Sequence, residues 1–143
     1  MKDTVYVIDT NVILRYLLAD HKEFYYQARA VMEEVRIGDR KVLILDSVIA
    51  ECVYVLIKIY NVPRKEIAEK LKGILAYKGV AGREKERLRE ALDIFAGSNV
   101  DIVDAFVFVF ATAEKNRRLL SFDKDLKKLA RDSNRGEGEK RSK

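Results

Sequence analysis

Cysteine, proline, histidine and tryptophan are almost missing from this chain: one Cys, one Pro, one His and no Trp in 143 residues. A lone Cys52 cannot form an internal disulfide, so no secretory scaffold is available and a reducing, cytoplasmic compartment is expected. Cys52 and His21 are solitary, which removes the ligand sets that zinc prefers. Cys52 reads as core packing and His21 as a solvated loop residue. No Ser–His or Cys–His pairing offers a nucleophile. No apolar run reaches the roughly 18 residues of a membrane span, so no membrane partner is expected. The opening Met1-Lys2-Asp3-Thr4 leads straight into a strand, without the pattern of a signal peptide. Neither a P-loop nor a dinucleotide-type glycine pattern is present, and the chain has no internal repeat.

What remains is a charged, apolar-cored sequence. Hydrophobic residues make up 48%, and the length suits one domain with its own core. Charged residues reach 36%, above the usual quarter or so, which suits a heat-stable protein with surface ion pairs. The net charge of +5, from 28 basic and 23 acidic residues, favours a polyanionic partner modestly. If acidic residues gather in a cleft, the remaining surface is more basic than the total implies.

Thr4 to Ile8 is β-rich and apolar, the mark of a central parallel strand. Asp9-Thr10-Asn11 supplies capping side chains for a short helix to Leu18. Phe24, Ala28, Val31, Met32 and Val35 fall at helical spacing and stop at Gly38. Lys41 to Leu45 is a second strand. Ser47 is placed to cap a helix to Tyr60 that is apolar nearly all round and therefore buried. Pro63 opens a helix with Ile67, Leu71, Ile74 and Leu75 on one face. Gly79 and Gly82 bound a loop, and Glu84 to Ala96 forms another one-faced helix; the two make a hairpin on the core. Ala105 to Ala111 alternates like a strand, yet the stretch runs on to Asn116 and has Asp101 before it as a cap, so helix is expected. Leu119 to Phe122 reads as a third strand and Asp123 to Arg131 as a short helix. Residues 1–131 form the expected domain. From Asp132 to Lys143 Gly, Ser and charges replace apolar residues, predicting a disordered tail. Strands alternating with helices imply a parallel sheet with helices on both faces.

Four acidic residues stand where strands end or helices begin: Asp9, Glu51, Asp104 and Asp123. Ligands bind at that edge of an open α/β sheet. Asp9 and Asp123 each follow an apolar strand, and a helix cap explains either one alone. Glu51 and Asp104 sit in otherwise apolar segments, where an unpaired buried carboxylate is costly. Asp101 reads as a cap, Asp125 as a first-turn residue favoured by the helix dipole, and Asp46 as another cap. Carboxylates converging at one edge repel unless a cation neutralises them. Oxygen ligands without His or Cys suit Mg²⁺ or Mn²⁺. The natural reaction is then attack of a metal-activated water on a phosphodiester. A phosphatase of the Asp-x-Asp type is excluded, because Asn11 stands where a second Asp must donate a proton.

Ile8-Asp9-Thr10-Asn11-Val12, Ser47-Val48-Ile49-Ala50-Glu51, Asp101-Ile102-Val103-Asp104-Ala105 and Ser121-Phe122-Asp123-Lys124-Asp125 together resemble the PIN-domain family, closest to VapC-type toxin ribonucleases. The likeness spans Val5 to about Leu129. It implies an α/β/α sandwich with a central parallel sheet, and a Mg²⁺- or Mn²⁺-dependent endoribonuclease acting on RNA. It puts the catalytic and metal-binding positions on Asp9, Glu51, Asp104 and Asp123. The accessory polar positions fall on Thr10, Asn11 and Ser121, with Asp101 at the edge. It also implies a homodimer and a small antitoxin protein as partner. Asp46 and the charged tail depart from the family pattern. RNA maturation outside a toxin pair, or RNA binding without turnover, are the alternative readings.

Overall fold

Runs of two or three residues make a small sheet here, its first strand exposed along its length and the other two each with a buried valine. The computed structural model describes residues 3–141. Strand β1 (Val5–Val7) leads to α1 (Thr10–Leu18) and α2 (Lys22–Ile37), and β2 (Lys41–Leu43) to α3 (Asp46–Lys58) and α4 (Arg64–Leu75). A third strand, β3 (Val80–Ala81), precedes α5 (Lys85–Gly97), α6 (Ile102–Thr112) and α7 (Lys124–Arg141). The strands are parallel and lie in the order β1-β2-β3. Tyr6 is level with Val42, and Val42 with Val80. The class is α/β, as the alternation of elements predicts.

Ile8 and Ile44, one residue beyond the ends of β1 and β2, are buried in one core with residues from all seven helices. Helix α6 settles the ambiguous apolar stretch. Ile102, Ala105, Phe106, Phe108 and Val109 are buried, a spread around the axis that only a helix packed on several sides produces. It packs on α3 and α5. It stops at Thr112, whose hydroxyl turns back to the Phe108 carbonyl at 2.9 Å. Helices α4 and α5 form the expected hairpin. Arg64 pins it to the turn before α6: its guanidinium lies 3.8 Å from the centre of the Phe95 ring and donates to the carbonyls of Phe95 and Val100.

Two strand expectations are corrected. The loop between Gly79 and Gly82 holds β3, while Leu119–Phe122 is not a strand. Gly79 explains the first. A Cβ there would fall 2.0 Å from the Arg40 carbonyl oxygen and 2.7 Å from that of Val35, so only glycine lets the chain pass this close. Its N–H donates to Val35 and its carbonyl accepts from Val42, each at 2.8 Å, which hands the chain into the sheet. Gly82 leaves it at φ +112°, a conformation natural to glycine. Residues 117–123 instead take neither helix nor ladder. The last helix does not break at Arg131 but continues to Arg141. No proline interrupts it, and proline is the residue that would force a stop. Ser142 and Lys143, the end of the expected tail, lie outside the described residues.

Candidate functional site

Asp9 follows Ile8 directly and takes the N-cap position of α1. Its Oδ1 accepts from the backbone N–H of Asn11 at 2.8 Å and of Val12 at 3.3 Å. The cap reading is therefore right, yet it occupies one oxygen only. Thr10, next along, is 7% exposed, the one polar side chain in the buried set of described residues. Its Oγ1 donates to Glu51 Oε2 at 3.1 Å. That bond ties the first turn of α1 to the second turn of α3. Glu51 itself is exposed, which corrects the expectation of a buried carboxylate: the apolar helix α3 leaves one side open, and Glu51 lies on it. Asn11 is exposed beside them.

Asp104 lies in the first turn of α6 and is partly buried. Burial holds its carboxyl above the ordinary range, and the charges of Asp123 and Asp101 push in the same direction. Asp123 is exposed and caps α7, its Oδ1 accepting from the Leu126 N–H at 2.9 Å. Ser121 orients it, with Oγ accepting from the Asp123 N–H at 3.0 Å. Asp101 holds the cap position of α6 but makes no side-chain cap bond, a correction to its expected role. Its carboxylate accepts from the Tyr54 hydroxyl instead, at 3.0 and 3.2 Å. Burial, that bond and the charges of Asp101 and Asp104 raise the Tyr54 hydroxyl. Ser47 is not a cap either. Leu45 holds that position and α3 starts at Asp46, whose Oδ1 accepts from the Ser47 N–H.

The structure thus sorts the acidic residues into two neighbouring sets. Thr10, next to Asp9 in the chain, is hydrogen-bonded to Glu51; the charges of Asp123 and Asp101 both act on Asp104. Cys52, buried behind the first set, has its thiol pushed up to about 12, first by burial and then by Glu51 and Asp9, so it is inert core as expected. The donor chemistry suits a hard divalent cation. Asp9 and Asp123 each keep an oxygen that no hydrogen bond takes up among the described residues. The distances do not complete a cage: no three His, Cys, Asp or Glu residues come close enough to hold a metal ion among the described residues.

Two features escaped the sequence reading. Tyr54, in an apolar helix, looks like core; its place three residues after Glu51, hence near the same face, is the only signal. The other is a cavity of about 980 Å³ between the end of α6 and α7. Lys115, Arg117, Arg118, Lys127 and Arg131 line it, together with Ser121. These cations are scattered over 17 positions in sequence and gather only in the fold. A family profile described as PIN domain matches residues 6–132, a span that includes all four carboxylates. No curated protein and no solved structure matches the chain.

Proposed function

The chain belongs to the PIN domain family, and from that premise we propose that it is a Mg²⁺- or Mn²⁺-dependent endoribonuclease, the VapC-type toxin of a toxin–antitoxin pair. Members of this family are generally nucleases acting on RNA. One observation carries the reading. In a chain with 28 basic residues, Asp9, Glu51, Asp104 and Asp123 have no Lys, Arg or His partner among the described ion pairs. Carboxylates left without a protein cation are suited to an external one.

Asp9, Glu51, Asp104 and Asp123 would hold the metal, which supplies an activated water and stabilises the attacking and leaving oxygens of the phosphodiester. Thr10 orients Glu51, the α1 cap orients Asp9, and Ser121 orients Asp123. Asn11 stands exposed beside Asp9, where it can hydrogen-bond a substrate or water. The cationic cavity gives the RNA backbone a place to lie, and exposed ribose-phosphate is a natural ligand for such a groove. A small antitoxin protein and a second copy of the chain are the partners this reading expects.

Purified protein should cleave single-stranded RNA with Mg²⁺ or Mn²⁺ and stop in EDTA. Asp9→Asn and Asp104→Asn should each lower the rate by about 100-fold or more, and induced wild type, but not Asp9→Asn, should arrest growth. Undiminished cleavage by both variants would remove the assignment. The open cage and the basic cavity favour a second reading, RNA binding without turnover. Binding that survives EDTA with no metal-dependent cut would select it. Cleavage without growth arrest would point to RNA maturation instead.

A further inference from the structure

Asp46 is an acid for which the four-carboxylate site has no use. It opens α3 where β2 has just ended, is exposed, and accepts the Ser47 N–H on Oδ1 at 2.7 Å. It lines two adjoining cavities. One, of about 250 Å³, lies at the ends of β2 and β3 beside the start of α5, and Arg83 and Lys85 line it too. The other, of about 470 Å³, lies between α3 and α6. Phe110 stands in both. Asp46, Arg83 and Lys85 share a wall, yet none of them enters an ion pair among the described residues. Opposite charges that line one cavity without pairing suit a ligand that complements both. Much of the remaining wall is apolar. Val103 and Val107 are each 44% exposed and stand with Phe110 at i, i+4 and i+7, one uncovered stripe of α6.

We propose that these adjoining cavities form a base-reading subsite that takes a guanine of single-stranded RNA, with Asp46 as the residue that reads it. Unstacked RNA bases are recognised by stacking on aromatic side chains and by hydrogen bonds to their edges. Phe110 and the valine stripe offer the apolar face, and Asp46 the acceptors. An ionised carboxylate only accepts, at about four lone-pair sites, so the Ser47 N–H leaves it most of its capacity. Guanine sets two donors, N1–H and the N2 amine, side by side on one edge. Adenine and cytosine set one amine beside an acceptor nitrogen. Uracil sets one N–H between two acceptors, which a carboxylate repels. Arg83 and Lys85 suit the flanking phosphates. The subsite adjoins the four carboxylates: Ser47 stands one turn before Glu51 on α3, and Val107 one turn after Asp104 on α6. That the ligand is RNA rests on the nuclease reading, on which Asp46 selects a nucleotide close to the bond that is cut.

The test reads base preference apart from cleavage. Labelled single-stranded heptamers are titrated in EDTA and followed by fluorescence anisotropy: one all uridine, one with a central guanosine, and one with a central inosine, which lacks the N2 amine. Wild type should bind the guanosine oligomer about tenfold or more tighter than the uridine one, with inosine between them. Asp46→Asn keeps an acceptor for the Ser47 N–H but turns an amide donor toward the base, and should bring the three affinities together. Asp46→Ala should do the same. Glu90→Gln removes another exposed acid, on α5, and should keep the preference, which separates edge reading from a change of net charge. Equal binding of the three by wild type, or a guanosine preference that survives both Asp46 variants, overturns the subsite. So does a dimer that Val107→Asp splits while no preference is seen, which gives the stripe to a second copy. A preference erased at Asp46 in a protein that cuts no RNA with Mg²⁺ or Mn²⁺ upholds the subsite and removes the nuclease reading. Metal-dependent cutting without any preference does the reverse.

Discussion

Asp9 and Asp123 each give one carboxylate oxygen to a helix amide and keep the other. That double use is why a cap and a ligand position cannot be told apart in sequence: both need a short acid at a helix start. Asp104 differs, since nothing among the described hydrogen bonds holds it and burial raises its carboxyl. A carboxyl raised on folding favours the protonated state, so its ionisation works against the fold. That penalty is absent at pH values below the unfolded value, develops as pH rises through the Asp104 range, and is complete above it. Asp104→Asn should therefore melt higher than wild type at pH 7, with the difference shrinking toward pH 4, even as cleavage is lost. Thermal melts at the two pH values check this; equal or lower stability of the variant at pH 7 contradicts it. Thr10→Val removes the bond to Glu51 and should cost about 1–2 kcal/mol in urea unfolding. Thr10→Ser should recover most of the lost activity, because it restores the donor. Charges interrupting apolar runs made Glu51 and Asp104 legible in sequence. Tyr54 was not, because its ring satisfies the apolar pattern and its hydroxyl finds Asp101 only across the fold.

Most helices were readable because each has an apolar stripe of the right period, and α6 because its length exceeds that of a strand. The strands were less so. Val80–Ala81 is too short to show alternation, and only the close approach at Gly79 makes it one. Leu119–Phe122 shows the alternation but lacks a neighbour in its own chain, which no local pattern reveals. Gly79→Ala drives a Cβ into backbone that cannot move aside, since the Arg40 and Val35 carbonyls belong to the entry of β2 and the end of α2. It should destabilise by about 3 kcal/mol or more, beyond ordinary overpacking, measured as a lower urea midpoint. Gly73→Ala is the control: it meets nothing within 4 Å and lies inside α4, where Ala is the better helix former. It should leave stability unchanged or raise it by up to about 1 kcal/mol.

For the whole molecule, class and family were legible because four short motifs keep their order along the chain. The surface was not. A net charge of +5 says little about where cations gather, and the basic cavity depends on how α7 returns beside α6. No helix among the described residues is long and apolar enough to cross a membrane. If single-stranded RNA lies in the cavity, log affinity should fall linearly with log salt, and Lys127→Ala should shallow the slope by about 0.7. Filter binding from 50 to 300 mM salt measures it; an unchanged slope places the RNA elsewhere.

The order of the sheet also bears on time. Strands β1, β2 and β3 lie side by side in the order in which a ribosome makes them, so each new strand finds its neighbour already present. Chains generally fold from the N-terminus as they emerge, and here nothing must wait for a distant strand to complete the sheet. Asp123 is the exception. It comes last of the four carboxylates, so a nascent chain can have its sheet well before it has a complete acidic set. On the nuclease reading, synthesis itself would then delay activity until after the sheet is in place.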